Sequence, residues 1–202
     1  MPKQQIALTF DDGPSDATGR VLDALERATA KATFFIRGNM IPGHERELKR
    51  MAANGFQIGN HTWDHDILDK TSADELRRSV LRTNDAIYSA CGVTPTVVRP
   101  PGGVCDDDSL SVLGSMGLSV IFWNVDPRDW ETLDAQSTVD HVLDRAKDGR
   151  IVIMHDIYEP TADAVEVIVP ALVSRGFNLV TVDELTKDRG GLELGTRFYG
   201  FR

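Results

Sequence analysis

The 202-residue chain has only two cysteines, Cys91 and Cys105, too few for a disulfide framework and at a spacing that matches no zinc motif. Two buried thiols are expected in preference to one bridge. No apolar run approaches the roughly 20 residues of a membrane-spanning helix, and the start, "MPKQQIALTF", has no signal-peptide pattern. The first predicted strand follows almost at once, so localisation stays open. No stretch rich in proline, glycine and serine marks a linker, so residues 1–202 read as one domain. Positive charge is also scarce: 22 Lys and Arg stand against 31 Asp and Glu, a net charge of −9. Such a balance disfavours nucleic acid or an anionic membrane surface as partner, and a neutral or cationic substrate fits it better.

What is present is an ordinary globular composition, 41% apolar and 26% charged, enough to bury a core. Short apolar runs recur between helical patterns, the sign of βα units around a parallel sheet. Seven strands are predicted, at 6–10, 32–36, 56–60, 96–100, 119–125, 150–154 and 178–182. The clearest helix begins after Thr71, where Ser72 and Glu75 form a capping box ahead of Leu76, Val80, Thr83 and Ile87, and Gly92 ends it. Others are predicted near 16–30, 44–54, 107–116, 137–148 and 161–175. Pro170 should kink or restart the last, because proline lacks the N–H the preceding turn needs. Seven such units favour an open doubly wound sheet or a closed barrel, and periodicity does not separate the two.

Five polar clusters fall at the C-terminal ends of predicted strands, the edge where parallel α/β folds assemble active sites. "TFDDGP" (9–14) sets Asp11 and Asp12 side by side as a strand ends, so each carboxylate can take a different task. "NHTWDH" (60–65) places His61 and His65 four apart. On a strand their imidazoles would be about 13 Å apart; on a helical turn they would share a face about 6 Å apart, close enough to chelate. Thr62 stands where a zincin would have its glutamate base, so the third ligand and the base must come from elsewhere, and Asp11 and Asp12 offer both. "VRPPGG" (98–103) supplies Arg99, "DPRDW" (126–130) supplies Asp126, Asp129 and Trp130, and "IVIMHD" (151–156) supplies His155. His44 and His141 sit in helical patterns without a metal partner and receive no role.

In this order the clusters resemble the polysaccharide deacetylase family, also called the NodB homology domain or carbohydrate esterase family four. The resemblance runs from residue 6 to about 185 on "TFDDGP", "HTWDH", "RPPGG", "DPRDW" and "IMH". It implies an α/β fold, a distorted (β/α) barrel with about seven parallel strands in a single domain. It implies further that Asp12, His61 and His65 hold a divalent metal ion, zinc before cobalt or nickel. Asp11 would be the general base held by Arg99, and His155 the acid oriented by Asp129. Trp130 and Ile153 would wall the acetyl methyl group, and the backbone N–H near Gly102 would meet the oxyanion. Two positions depart from the family pattern. Gly102 stands where an aromatic residue is frequent, which removes a sugar-stacking surface, and Ile153 replaces a leucine with little change of volume.

The implied reaction is hydrolysis of the N-acetyl groups of an N-acetylglucosamine-containing glycan, such as chitin oligomers or peptidoglycan. Water attacks the acetamide carbonyl while Asp11 takes its proton and His155 protonates the leaving nitrogen. An O-acetyl esterase acting on acetylated xylan could use the same groups. A non-catalytic carbohydrate- or metal-binding module would be expected to lack the base or the acid, and Asp11 and His155 are both present. The resemblance also suggests an extracellular or cell-envelope location.

Overall fold

The structure, a computed structural model, describes residues 4–201. Eight parallel strands form one sheet: β1 (Gln5–Asp11), β2 (Thr33–Ile36), β3 (Gln57–Asn60), β4 (Val97–Val98), β5 (Ser119–Ile121), β6 (Arg150–His155), β7 (Asn178–Leu179) and β8 (Arg197–Phe198). Their order is β6-β1-β2-β3-β4-β5-β8, with β7 on the N-terminal end of β1. The sheet curls, and its two sides meet where Val125, beyond β5, forms a single bridge with Val152 of β6. The expected distorted barrel is therefore present, joined at that seam by isolated hydrogen bonds and not by a full ladder.

Among the described residues there are eight α-helices: α1 (Thr18–Arg27), α2 (Glu45–Ala53), α3 (Ala73–Cys91), α4 (Asp107–Ser115), α5 (Asp129–Thr132), α6 (Ala135–Arg145), α7 (Glu159–Ser174) and α8 (Val182–Lys187). The α3 capping box forms as its sequence requires, and Gly92 ends the helix at φ +76°. α7 runs through Pro170 without a break, because Val165, Ile168, Val169 and Leu172, all fully buried, hold both halves on the core. α5, α8 and β8 were not expected. Cys91 and Cys105 are both free and half-buried, not bridged and not fully buried.

Period-two alternation decides what each strand delivers. Ile6, Leu8 and Phe10 of β1 face the helix-side core with Val152 and Met154 of β6. Ala7 and Ile151 pack in the barrel interior with Phe35, Val97 and Ile121. Thr9 and Asp11 share the parity of Ala7, and Ile153 and His155 share that of Ile151, so the carboxylate of Asp11 and the imidazole of His155 reach the inside at the C-terminal edge. Asp11 and His155 are register partners, the last such pair in the β1–β6 ladder.

Candidate active site

A cavity of about 400 Å³ opens at this edge, lined by Asp11, Asp12, His61, His65, Gly102, Trp123, Asp126, Trp130, Ile153, His155 and Tyr158. All the residues singled out in the sequence line it, except Arg99 and Asp129, which are bonded behind it.

Asp11 ends β1 and is 2% exposed, whereas Asp12 turns into the left-handed region at φ +70°. That turn sends two adjacent carboxylates to different neighbours, since regular strand geometry ends between them. His61 and His65 lie on an irregular loop and not on the helical turn expected of them. Thr62 at φ +64° and His65 at φ +62° fold it so that the ring centroids stand 5.2 Å apart. The chelating separation is thus reached by a different backbone route. Asp12 Oδ1 lies 3.6 Å from His61 Nε2 and 3.5 Å from His65 Nε2. His61 Nδ1 is 2.8 Å from the Arg99 carbonyl, which can only accept, so Nδ1 carries the proton and Nε2 presents its lone pair. Burial holds the His61 imidazolium down to about 3, so the ring is neutral, the form that binds metal.

Among the described residues, Asp12, His61 and His65 bring their ligating atoms within 4.8 Å of one another. Asp12 Oδ1 is buried and has no hydrogen-bond partner. An orphaned carboxylate oxygen buried beside two imidazole nitrogens is costly unless a cation completes the group. The residues present therefore fit a divalent metal ion, and two nitrogens with one oxygen suit a catalytic site that keeps positions open.

Arg99 leaves β4 just before Pro100 and runs inward, fully buried. A buried guanidinium is tolerable only when its donors are satisfied. Arg99 donates to Asp11 Oδ1 at 2.8 Å, Thr9 Oγ1 at 2.7 Å, Ile121 O at 3.2 Å and Phe122 O at 3.1 Å, and lies over the Phe35 ring. Burial raises Asp11 above the usual carboxylate range, while the Arg99 charge and hydrogen bond pull it back.

Opposite, Asp129 heads the short α5 and is 1% exposed. Its Oδ1 accepts from His155 Nδ1 at 2.8 Å; its Oδ2 accepts from the His155 N–H at 2.8 Å and the Thr161 hydroxyl at 2.7 Å. Burial alone would lower the His155 imidazolium. The hydrogen bond and charge of Asp129, with Asp11 and Asp12 adding, outweigh it and hold His155 at about 9. The cavity thus joins a buried carboxylate able to accept a proton and a cationic imidazole able to give one.

Trp130, 47% exposed, and Ile153, 4% exposed, form part of the wall. Asp126 lines the rim, its Oδ1 accepting from the Arg128 N–H at 2.8 Å. Gly102 sits at φ +63°, and a Cβ there would reach only Ile67 Cδ1 at 3.6 Å, so its lack of a side chain leaves this wall open. Trp123 and Tyr158 belong to the cavity but were not picked out as site residues. Tyr158 lies three residues beyond His155 with its ring centroid 6.4 Å from the imidazole; its place just after a strand-end histidine was the available signal. His44 and His141 are absent from the lining.

A family model described as "Polysaccharide deacetylase" matches residues 1–121. The chain is 41% identical over 186 residues to peptidoglycan-N-acetylmuramic acid deacetylase from Bacillus subtilis, an alignment covering 91% of this chain and 39% of that protein. It is 37% identical over 191 residues to a chitooligosaccharide deacetylase of Rhizobium leguminosarum bv. trifolii, covering 87% of this chain and 89% of that protein. Among solved structures, a family 4 acetyl xylan esterase from Clostridium thermocellum, in complex with a cobalt ion, superposes with a TM-score of 0.90 at 31% identity, covering 98% of each chain.

Proposed function

The chain belongs to the polysaccharide deacetylase family, and from that premise we propose that it is a metal-dependent hydrolase removing N-acetyl groups from N-acetylglucosamine-containing oligo- or polysaccharides, either chitin oligomers or peptidoglycan. The observation that carries the proposal is the pairing across the β1–β6 edge: Asp11, locked by Arg99, faces the same cavity as His155, locked by Asp129, beside a three-residue metal site.

Asp12, His61 and His65 would hold the ion, with zinc preferred and cobalt or nickel as substitutes. When bound, such an ion supplies Lewis acidity toward the acetyl oxygen and makes water easier to deprotonate. Asp11 takes the proton of the attacking water; its raised pKa makes it a better acceptor than an exposed carboxylate. Arg99 fixes the orientation of Asp11 and keeps its negative charge available. The backbone N–H near Gly102 donates to the oxygen on which charge develops. His155, cationic at neutral pH, gives its Nε2 proton to the departing nitrogen. That step matters more for an amide than for an ester, because an amine is the poorer leaving group. Trp130 and Ile153 exclude water around the acetyl methyl, and action on envelope glycans would place the protein outside the cytoplasm.

Acetate release from N-acetylglucosamine oligomers, peptidoglycan and acetylated xylan, with metal-stripped and zinc-restored protein, tests this reading. Zinc-dependent release from the N-acetylated glycans is expected. Release from xylan alone would replace the proposal with the esterase reading that the Clostridium thermocellum structure favours, and no release from any substrate would leave a binding module.

A further inference from the structure

Asp156 follows the candidate acid yet takes no part in the chemistry above. It is 1% exposed, and its Oδ1 is buried without a hydrogen-bond partner. Its Oδ2 accepts from the Thr18 hydroxyl at 2.6 Å, and its main-chain carbonyl accepts from the Ser15 hydroxyl at 2.7 Å. The Thr18 hydroxyl in turn accepts from the Ser15 N–H at 2.8 Å. The Asp156 carboxyl also lies against Gly13: a Cβ built there would stand 2.4 Å from both oxygens. The loop that leaves β1 therefore meets the end of β6 through this one residue at three points, Gly13, Ser15 and Thr18.

The need for such a tie follows from the sheet. The β1–β6 ladder ends at the Asp11–His155 pair, so the ladder does not fix Asp12, the residue that follows β1. Asp12 is also in the left-handed region at φ +70°, which a non-glycine residue keeps only when its surroundings impose it. Beyond Asp12, the Arg37 N–H bonds Gly13 O at 3.0 Å from the β2 side, and Asp156 supplies the contact from the β6 side.

We propose that Asp156 is a positioning residue that clamps the Asp12–Thr18 loop onto the end of β6, thereby setting the Asp12 ligand oxygen against the two imidazoles. The contact depends on shape and on accepting a hydrogen bond, not on full negative charge. Burial pushes Asp156 up to about 7 despite the Thr18 bond, so an asparagine should replace it with little loss.

The inference rests on the metal-binding reading of the site, and its test reads zinc affinity by competition with a chelating dye, without substrate. D156A should weaken zinc binding about tenfold or more, the loss typical when a group behind a ligand is removed, while D156N stays within about threefold of the unaltered chain. G13A should also lose affinity, and because Gly13 and Asp156 occupy one contact, the G13A/D156A double variant should lose less than the product of the two single losses. If D156A does not fold, T18V, which removes the hydroxyl holding the carboxyl at nearly constant volume, should lose affinity severalfold. Unchanged affinity in D156A, or in T18V where D156A does not fold, overturns the inference, as does D156N losing as much as D156A. An unaltered chain that binds no zinc overturns the metal reading and this inference together; zinc bound equally by unaltered and altered chains overturns this inference alone.

Discussion

Replacing Asp129 by asparagine should move the titration of His155 further than any other single change. The imidazolium is held at about 9 against an ordinary value of 6.5, which corresponds to about 3 kcal/mol of preference for the charged form. With its side chain 13% exposed, little of that is lost to solvent screening. Since burial acts downward and Asp129 is the main group acting upward, D129N should bring His155 to 6.5 or below. At pH 7.5 the cationic fraction would then fall from nearly all to about one tenth, a loss of about tenfold in rate from protonation alone, before any loss of ring orientation. The direct assay is an NMR titration of the His155 ring in metal-stripped protein, since a bound cation would offset the help from Asp12. The basic limb of the pH–rate profile of zinc-loaded protein should shift in the same direction. Stability carries the same sign: a folded-state value above the unfolded one stabilises fully below about pH 6.5, and this contribution is lost as pH rises through about 9. D129N should flatten that slope in melting experiments. An unchanged His155 titration in D129N would refute the assignment of Asp129 as the group that keeps the acid charged.

R99M removes the cation beside a buried carboxylate. It should destabilise the fold by about 3–5 kcal/mol or force Asp11 to protonate, seen in calorimetry as a lowered Tm and in kinetics as an acid limb moved to higher pH. D11N should abolish turnover and leave zinc binding within a few fold, measured by acetate release beside dye competition; loss of both would contradict the separate roles given to Asp11 and Asp12. H61A and H65A should each lose zinc by at least about tenfold, with chelator-stripped unaltered chain regaining activity on adding zinc or cobalt. S72A removes the α3 capping box far from the cavity and should cost about 1 kcal/mol of stability with kcat/KM unchanged.

The sequence revealed β1, β3 and β6, each with a polar cluster at its C-terminal end, and the apolar β2 that lies between β1 and β3. It overestimated the strands on the far side. "TVVRP" pairs only at Val97–Val98, because Arg99 turns inward and Pro100 has no N–H to give the ladder. "SVIFWNV" pairs as a strand only to Ile121; the Phe122 N–H goes to Phe198 O and Val125 crosses to β6. Both are tertiary choices that local pattern does not encode. β8 escaped notice because "GTRFYGF" holds only a two-residue pairing set between glycines. Within the site, the residue types were legible, and the partnering of Arg99 with Asp11 and of Asp129 with His155 was implied by the family resemblance. The route by which His61 meets His65 was not legible, since spacing of four suggested a helical turn and the loop folds otherwise.

That route explains why the site resists reading by propensity. Of the six non-glycine residues with positive φ among the described residues, Asp12, Thr62 and His65 lie within the candidate metal-site segments, and Arg128 directly precedes Asp129. Each such residue costs on the order of 1–3 kcal/mol and persists only where surrounding bonds over-determine it. Around His61 and His65 those bonds are visible. The Thr62 N–H donates to Asn60 Oδ1 at 2.8 Å, the Trp63 N–H to the Ser79 hydroxyl at 2.8 Å, and the Asp66 N–H to the Thr62 hydroxyl at 2.9 Å. Asn60 is itself anchored on α3 through Val80 O and Asn84 Oδ1. The long, well-capped α3 therefore acts as the support for the histidine loop, as the end of β6 does for the Asp12 loop. Rigid elements on two sides hold strained backbone so that Asp12, His61 and His65 meet, and the strain sits where these three side chains converge.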